Sequence, residues 1–209
     1  MLTFSTVEVR WFGNYPVPKD IRAWFEHCPG QAEQQPSRRD YYLQPISDLG
    51  LSAKLREGGL EIKQRQRSHG SVHLTPSVAG TIEQWIKWRF PLVSGSIPAL
   101  ESAANKDHWT AVEKERWLKL IPVAGGPVVG TATSQARFGV YCQVEITSVR
   151  VGDQRWWTIG FELEHENEKA LDRLLKVTGQ VFRNTTLDHL TIRNSFGYPE
   201  WLASLSNNQ

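Results

Sequence analysis

Long apolar runs are missing from this chain of 209 residues: no stretch of 18 or more apolar residues occurs, so a transmembrane helix is not expected. Cysteine is scarce. Cys28 and Cys142 lie far apart, and no CxxC or Cys/His spacing accompanies them, which disfavours a disulfide framework and a structural zinc site. An excess of one charge sign is also missing. The 24 Lys and Arg against 22 Asp and Glu leave a net charge of +2, too little for a general nucleic-acid binder. The first residues, Met1 to Ser5, lack a basic segment followed by an apolar one, so no signal peptide is expected and a cytoplasmic location is. GxxxxGK[ST], GxGxxG and GxSxG are all absent, and the six histidines show no metal spacing.

What the chain does carry is charge at every second residue inside strand-like segments. Glu8/Arg10, Lys54/Arg56, Glu61/Lys63/Arg65/Arg67, Lys114/Arg116 and Glu162/Glu164 all follow this spacing. Side chains two apart on a strand share a face, and the residues between them are often apolar, as Val7, Val9, Leu55, Ile62 and Leu163 are. Each strand then has one apolar and one ionic face. A solvated sheet surface fits that pattern. So does a site: Lys and Arg suit phosphate oxygens, and the paired carboxylates Glu162 and Glu164 suit Mg²⁺ or Mn²⁺, with Glu145 as a third donor from the preceding strand. Glu61 is placed to neutralise part of the basic hairpin.

The periodicities predict about eight strands in mainly antiparallel order with helices inserted, an α+β pattern in one domain spanning 1–209. Strands are expected over 4–12, from Arg38 onward, over 51–57 and 60–67 as a hairpin, over 82–90, 109–121, 137–149 and 155–165. Pro18 followed by Lys19 to Phe25 predicts a short helix, and 28–37 reads as a polar loop. A helical turn is expected around 97–106, a loop over 122–130, and a helical tail from about 166, with an amphipathic helix over 168–182 and a short one near 199–205.

In their order along the chain these segments resemble the CYTH superfamily, the triphosphate tunnel metalloenzymes. The family's opening ExExK strand is matched by Thr6-Val7-Glu8-Val9-Arg10. A strand with aspartate and tyrosine follows as Arg39-Asp40-Tyr41-Tyr42, then a strand with two basic residues as Lys54-Leu55-Arg56, and a lysine-bearing strand as Leu60-Glu61-Ile62-Lys63. Later come Glu113-Lys114-Glu115-Arg116, an ExE strand as Phe161-Glu162-Leu163-Glu164, and a tail similar to Ser195–Leu202.

The resemblance implies a closed or nearly closed eight-stranded antiparallel barrel, open at both ends, with an ionic lumen. Phosphate ligands would be Arg10, Lys54, Arg56, Lys63 and Arg116, with Arg39, Arg65 and Lys114 as further substrate-binding candidates. Metal ligands would be Glu8, Glu162 and Glu164, with Glu145 beside them. The catalytic set is expected to be Glu8, Lys54, Arg56, Glu162 and Glu164. The expected activity is hydrolysis of inorganic triphosphate or a small organic triphosphate with Mg²⁺ or Mn²⁺. The alternative is a non-catalytic tunnel that binds polyphosphate or a nucleotide. It draws on one departure: the family's first Glu is Thr6 here, and its Lys is Arg10.

Overall fold

Alternation along the strands decides which side of the sheet meets the apolar core, and in this protein that side is the outer one. The protein is described from a computed structural model over residues 1–44, 47–92, 108–123, 141–165 and 169–206. Eight strands form the sheet: β1 (Leu2–Asn14), β2 (Glu33–Leu43), β3 (Leu51–Arg56), β4 (Gly59–His73), β5 (Ala79–Pro91), β6 (Trp109–Pro122), β7 (Tyr141–Val151) and β8 (Gln154–His165). They close into a barrel in the order β1-β5-β4-β3-β2-β6-β7-β8, and every neighbouring pair is antiparallel. Closure leaves no unpaired sheet edge. Among the described residues no helix is long and apolar enough to cross a membrane.

The main apolar core lies against the barrel's outer wall. Val7, Val9 and Trp11 of β1, Val144 and Ile146 of β7, and Ile159, Phe161 and Leu163 of β8 pack with two helices, α1 (Lys19–His27) and α2 (Ala170–Val181). Pro18 sits at the N-cap of α1, where its missing N–H costs nothing, and Trp24 of α1 stacks on Phe182 at 4.9 Å. Lys119 on the same outer wall donates to the carbonyls of Glu26 and Cys28, at 3.0 and 2.6 Å, and so fastens the end of α1 to β6.

The inward positions of the same strands carry most of the buried charge, and at one end they turn apolar and are covered. There Phe12, Val112 and Val149 meet the third helix, α3 (Tyr198–Ser206), and the segment before it. Phe12 stacks between Trp201 and Phe196, at 4.9 and 5.5 Å, while Tyr42 stacks on Tyr198 at 5.6 Å. The expectation of a barrel open at both ends is therefore corrected: the C-terminal segment fills one end.

Several strand limits differ from the expected ones. Residues 33–37 belong to β2 and not to a loop. They pair with β6 (Glu33 opposite Leu118, Gln35 opposite Arg116), and a bulge after Gln35 absorbs Pro36, which has no N–H to give the ladder. The hairpin between β3 and β4 turns on Glu57 and Gly58, both at positive φ, and β4 continues to His73. Bulges after Arg65 and after Ser68 break the alternation, so Lys63, Arg65 and Arg67 do not share one face throughout. The helical turn expected at 97–106, most of the loop at 122–130 and the first residues of the strand expected from 137 lie outside the described residues.

Trp201 is 2 % exposed and is the largest side chain in the plug. Trp201→Ala is expected to lower unfolding stability by about 3–5 kcal/mol, the range for deleting a buried aromatic. Urea unfolding followed by circular dichroism measures it; an unchanged midpoint would show that α3 does not hold this end.

Candidate functional site

The inward faces enclose a cavity of about 370 Å³. Nine Lys and Arg side chains line it against five Glu, an excess of four positive charges. Asp40 stands behind the lining, fully buried. Each strand delivers its charges by parity alone. Glu8 and Arg10 come from β1, Lys54 and Arg56 from β3, Lys63 from β4, Lys114 and Arg116 from β6, Glu145 from β7, and Glu162 and Glu164 from β8. Ten of the sequence-predicted residues thus share one cavity, and Lys54, Arg56 and Glu162 do not face bulk solvent as a wet sheet surface would have them do.

Two candidates lie elsewhere. Arg39 points out of the barrel, with its side chain 54 % exposed, and binds Glu113 at 2.5 Å. Its neighbour Arg38 lines the cavity instead, because a one-residue difference in parity exchanges the faces of a strand. Arg65 is not part of the lining; it bonds to Glu83 at 2.5 Å near the plugged end. Sequence reasoning also passed over Lys87 and Arg89, which line the cavity from β5. They carry the same spacing as the pairs that were recognised, within Ile86-Lys87-Trp88-Arg89-Phe90. Tyr42 and Tyr198 complete the floor; both lie in segments that carry the family resemblance, though neither is among the expected site residues.

Deepest in the cavity, Asp40 gathers Lys114, Arg38 and Lys54 at 3.0, 3.2 and 3.8 Å. Lys114 also donates to the Tyr42 hydroxyl at 2.7 Å and lies 3.9 Å from the centre of the Tyr198 ring. Lys54 reaches Glu61 at 2.8 Å. Glu145 is held between Arg10 at 2.6 Å and Arg116 at 3.2 Å. Gly160 lets Arg10 lie flat on β8, since a Cβ there would fall 2.7 Å from the guanidinium carbon.

Nearer the other end an unusual pairing occurs. Lys63 stands directly opposite Lys87 on adjacent strands, and Glu8 directly opposite Glu162. Like charges in such positions repel. The cavity resolves this by cross-pairing: Lys63 binds Glu8 at 2.8 Å, and Lys87 lies 3.5 Å from Glu162 and 3.8 Å from Glu164.

Protonation follows from burial and these partners. Burial pushes the Glu145 carboxyl up, but Arg10 and Arg116 outweigh it and hold it at about 2. Glu61 is likewise held at about 2, by Lys54 and Lys87 against burial. Asp40 and Glu162 fall well below the usual carboxylate range, since their cations outweigh burial. Lys54, Lys114 and Arg116 instead move down, because burial dominates and neighbouring cations add to it. Each of these three cations keeps a carboxylate partner, Lys54 with Glu61, Lys114 with Asp40 and Arg116 with Glu145.

Hard oxygen donors are present for Mg²⁺ or Mn²⁺ in Glu8, Glu162 and Glu164 on two adjacent strands. Among the described residues no three His, Cys, Asp or Glu side chains gather closely enough to hold an ion by themselves. That suits Mg²⁺ in particular, which one or two carboxylates commonly hold together with the phosphates of a bound substrate. The residues present fit a divalent ion shared with a ligand, and not a resident ion held by protein alone.

The Glu145 clasp gives a testable pH dependence. Its pKa is lowered on folding, so it contributes stability above about pH 4.3, the unfolded value, and loses it as pH falls through about 2. Glu145→Gln is expected to cost about 3 kcal/mol at pH 7, with the difference from the unsubstituted protein shrinking as pH is lowered towards 2. Unfolding curves at pH 7, 4 and 2.5 check the slope; a cost that does not change with pH would mean that the clasp is not ionic.

No protein-family model matches the chain, and no curated protein does. Among solved structures, the PH1819 protein of Pyrococcus horikoshii OT3 is similar over 98% of this chain and 99% of that one, with 11% identity and a TM-score of 0.43.

Proposed function

We propose that the barrel is a triphosphate-binding tunnel of the CYTH type, closed at one end. Its ligand is a small molecule with a chain of three phosphates, inorganic or organic. Its activity with Mg²⁺ or Mn²⁺ is hydrolysis of that chain. The observation that carries this reading is a cavity lined by nine Lys and Arg side chains against six carboxylates, the five lining Glu and Asp40 behind them, an excess of three cations. A phosphate chain supplies compact negative charge and acceptor oxygens on every side, which suits Arg forks and Lys point charges arriving from several strands.

Within the cavity Lys54, Arg56 and Arg116 would bind phosphate oxygens, and Arg10 would do so from a position fixed by Glu145. The cross-paired quartet adds to the argument. A ligand phosphate drawn between Lys63 and Lys87 would release Glu8 and Glu162, the residues that would hold a divalent ion. The ion, once bound, supplies Lewis-acid polarisation of a phosphoryl oxygen. In the overall reaction the oxygen of a water molecule bonds to the terminal phosphorus as the bridging P–O bond breaks. The products are orthophosphate, the shortened phosphate chain and the proton that water loses.

One observation favours binding without turnover as the second reading. Thr6, opposite Glu164 on β1, is a fully buried hydroxyl with no hydrogen-bond partner where the family motif has a carboxylate. Calorimetric titration with tripolyphosphate, with and without Mg²⁺ or Mn²⁺, combined with an orthophosphate-release assay, separates the readings. Binding with release is the expected result. Binding alone selects the second reading, and absence of both rejects the tunnel.

Removing a cation that contacts phosphate is expected to weaken tripolyphosphate binding roughly 10- to 100-fold, as loss of a charge-assisted hydrogen bond does. Lys54→Ala and Arg116→Ala, measured by calorimetry, test this. Glu8→Gln combined with Glu162→Gln is expected to keep metal-free binding within a few-fold while abolishing release; unchanged release would remove these glutamates from the metal site.

A further inference from the structure

The cavity wall is not ionic all the way round. On one arc Leu118 and Leu120 of β6 face inward, in line with Lys114 and Arg116, and Tyr141 of the adjacent β7 stands beside them. Gln35 and Gln143 flank them: Gln35 is opposite Arg116 in the β2–β6 ladder, and Gln143 is opposite Leu120 in the β6–β7 ladder. Across the barrel from β6 stands β5, which carries Lys87 and Arg89 into the cavity. Leu118 is 4 % exposed, yet it joins none of the three apolar clusters among the described residues. The leucines lie on the side of the charged layer away from the plug, since β6 runs from Val112 at the plug through Lys114 and Arg116 to Leu118 and Leu120.

Bare triphosphate has no use for this arc. A phosphate laid against Leu118 would give up hydration with nothing to replace it. A flat organic group there gains apolar contact, and the two side-chain amides offer donors and acceptors to ring heteroatoms without adding charge. The volume of about 370 Å³ lies within the range of roughly 300–1,000 Å³ of pockets that take whole organic ligands.

Building on the triphosphate reading above, we infer that the preferred ligand is an organic triphosphate whose uncharged ring rests on the Leu118–Leu120 shelf while its phosphates lie in the cationic layer. Leu118 and Leu120 are then specificity-determining residues. Lys87 and Arg89 on the facing strand serve the phosphate chain and not the ring.

Calorimetry with tripolyphosphate, ribose 5-triphosphate, adenosine triphosphate and uridine triphosphate tests the inference on the intact chain. At least one of the two nucleotides is expected to bind roughly tenfold or more tightly than ribose 5-triphosphate, an ordinary gain for an apolar group entering a pocket. Leu120→Asn, at the less buried of the two positions, is expected to remove that gain and leave tripolyphosphate affinity within twofold. Leu118→Asn is the second variant. If all three organic triphosphates bind equally, or if both substitutions weaken tripolyphosphate as much as the nucleotides, the shelf has no role in recognition. If tripolyphosphate itself does not bind, the triphosphate reading fails and this inference with it.

Discussion

Burial of ionised groups inside a closed sheet is the constraint on which the rest of the structure depends. Taking a carboxylate out of water costs several kcal/mol, and that cost is offset only by close, well-oriented cations. The lumen answers by giving each of Asp40, Glu8, Glu61, Glu145 and Glu162 a Lys or Arg. Such an interior cannot also supply a hydrophobic core. The core therefore sits on the outer wall, where α1 and α2 cover Val9, Phe161 and Leu163. Every strand needs an apolar outward face and an ionic inward one, and a single slip in register would reverse both.

Under the proposed reading the same constraint would make the lumen responsive to a bound anion. Lys63 and Lys87, opposite each other, hold Glu8 and Glu162, which are opposite each other too. A phosphate would offer the lysines another partner, and a divalent ion would offer the glutamates one. Ligand and ion would then support each other's binding by removing opposite halves of one network. Burial lowers the proton affinities of Lys54 and Lys114 near the floor, against the opposing pull of Asp40.

Strand parity was the most legible property of the sequence. Spacing of two put Glu8 with Arg10, Lys54 with Arg56, Lys114 with Arg116 and Glu162 with Glu164 on one face of their strands, because alternation is intrinsic to a strand, while their meeting in one cavity was expected from the family resemblance in their order. Bulges reset that parity: Gln35 and Arg38 both face the cavity across the bulge at Pro36, with Arg39 outside, and the first bulge in β4 breaks the basic run between Arg65 and Arg67. Closure at one end was illegible for another reason. Tyr198 and Trp201 meet Phe12 and Tyr42 across more than 150 residues of chain, and no local pattern records such a contact.

Closure also gives the cavity a direction. At the floor, aromatic rings and apolar side chains exclude water, so charge interactions there act through a lower effective dielectric than at the opposite end. Lys114 beneath Tyr198, with Arg38 and Lys54 around Asp40, gathers three cations about one carboxylate on that side. The leucine shelf lies farther from it, past Arg116 along β6. A ligand with one charged and one uncharged end has a single favourable orientation in such a gradient, phosphate towards the floor and ring towards the shelf. A symmetric, wholly ionic molecule would have no comparable preference. The plug thus does more than stabilise the barrel: it turns a set of charges that repeat on every strand into a site with an inner and an outer end.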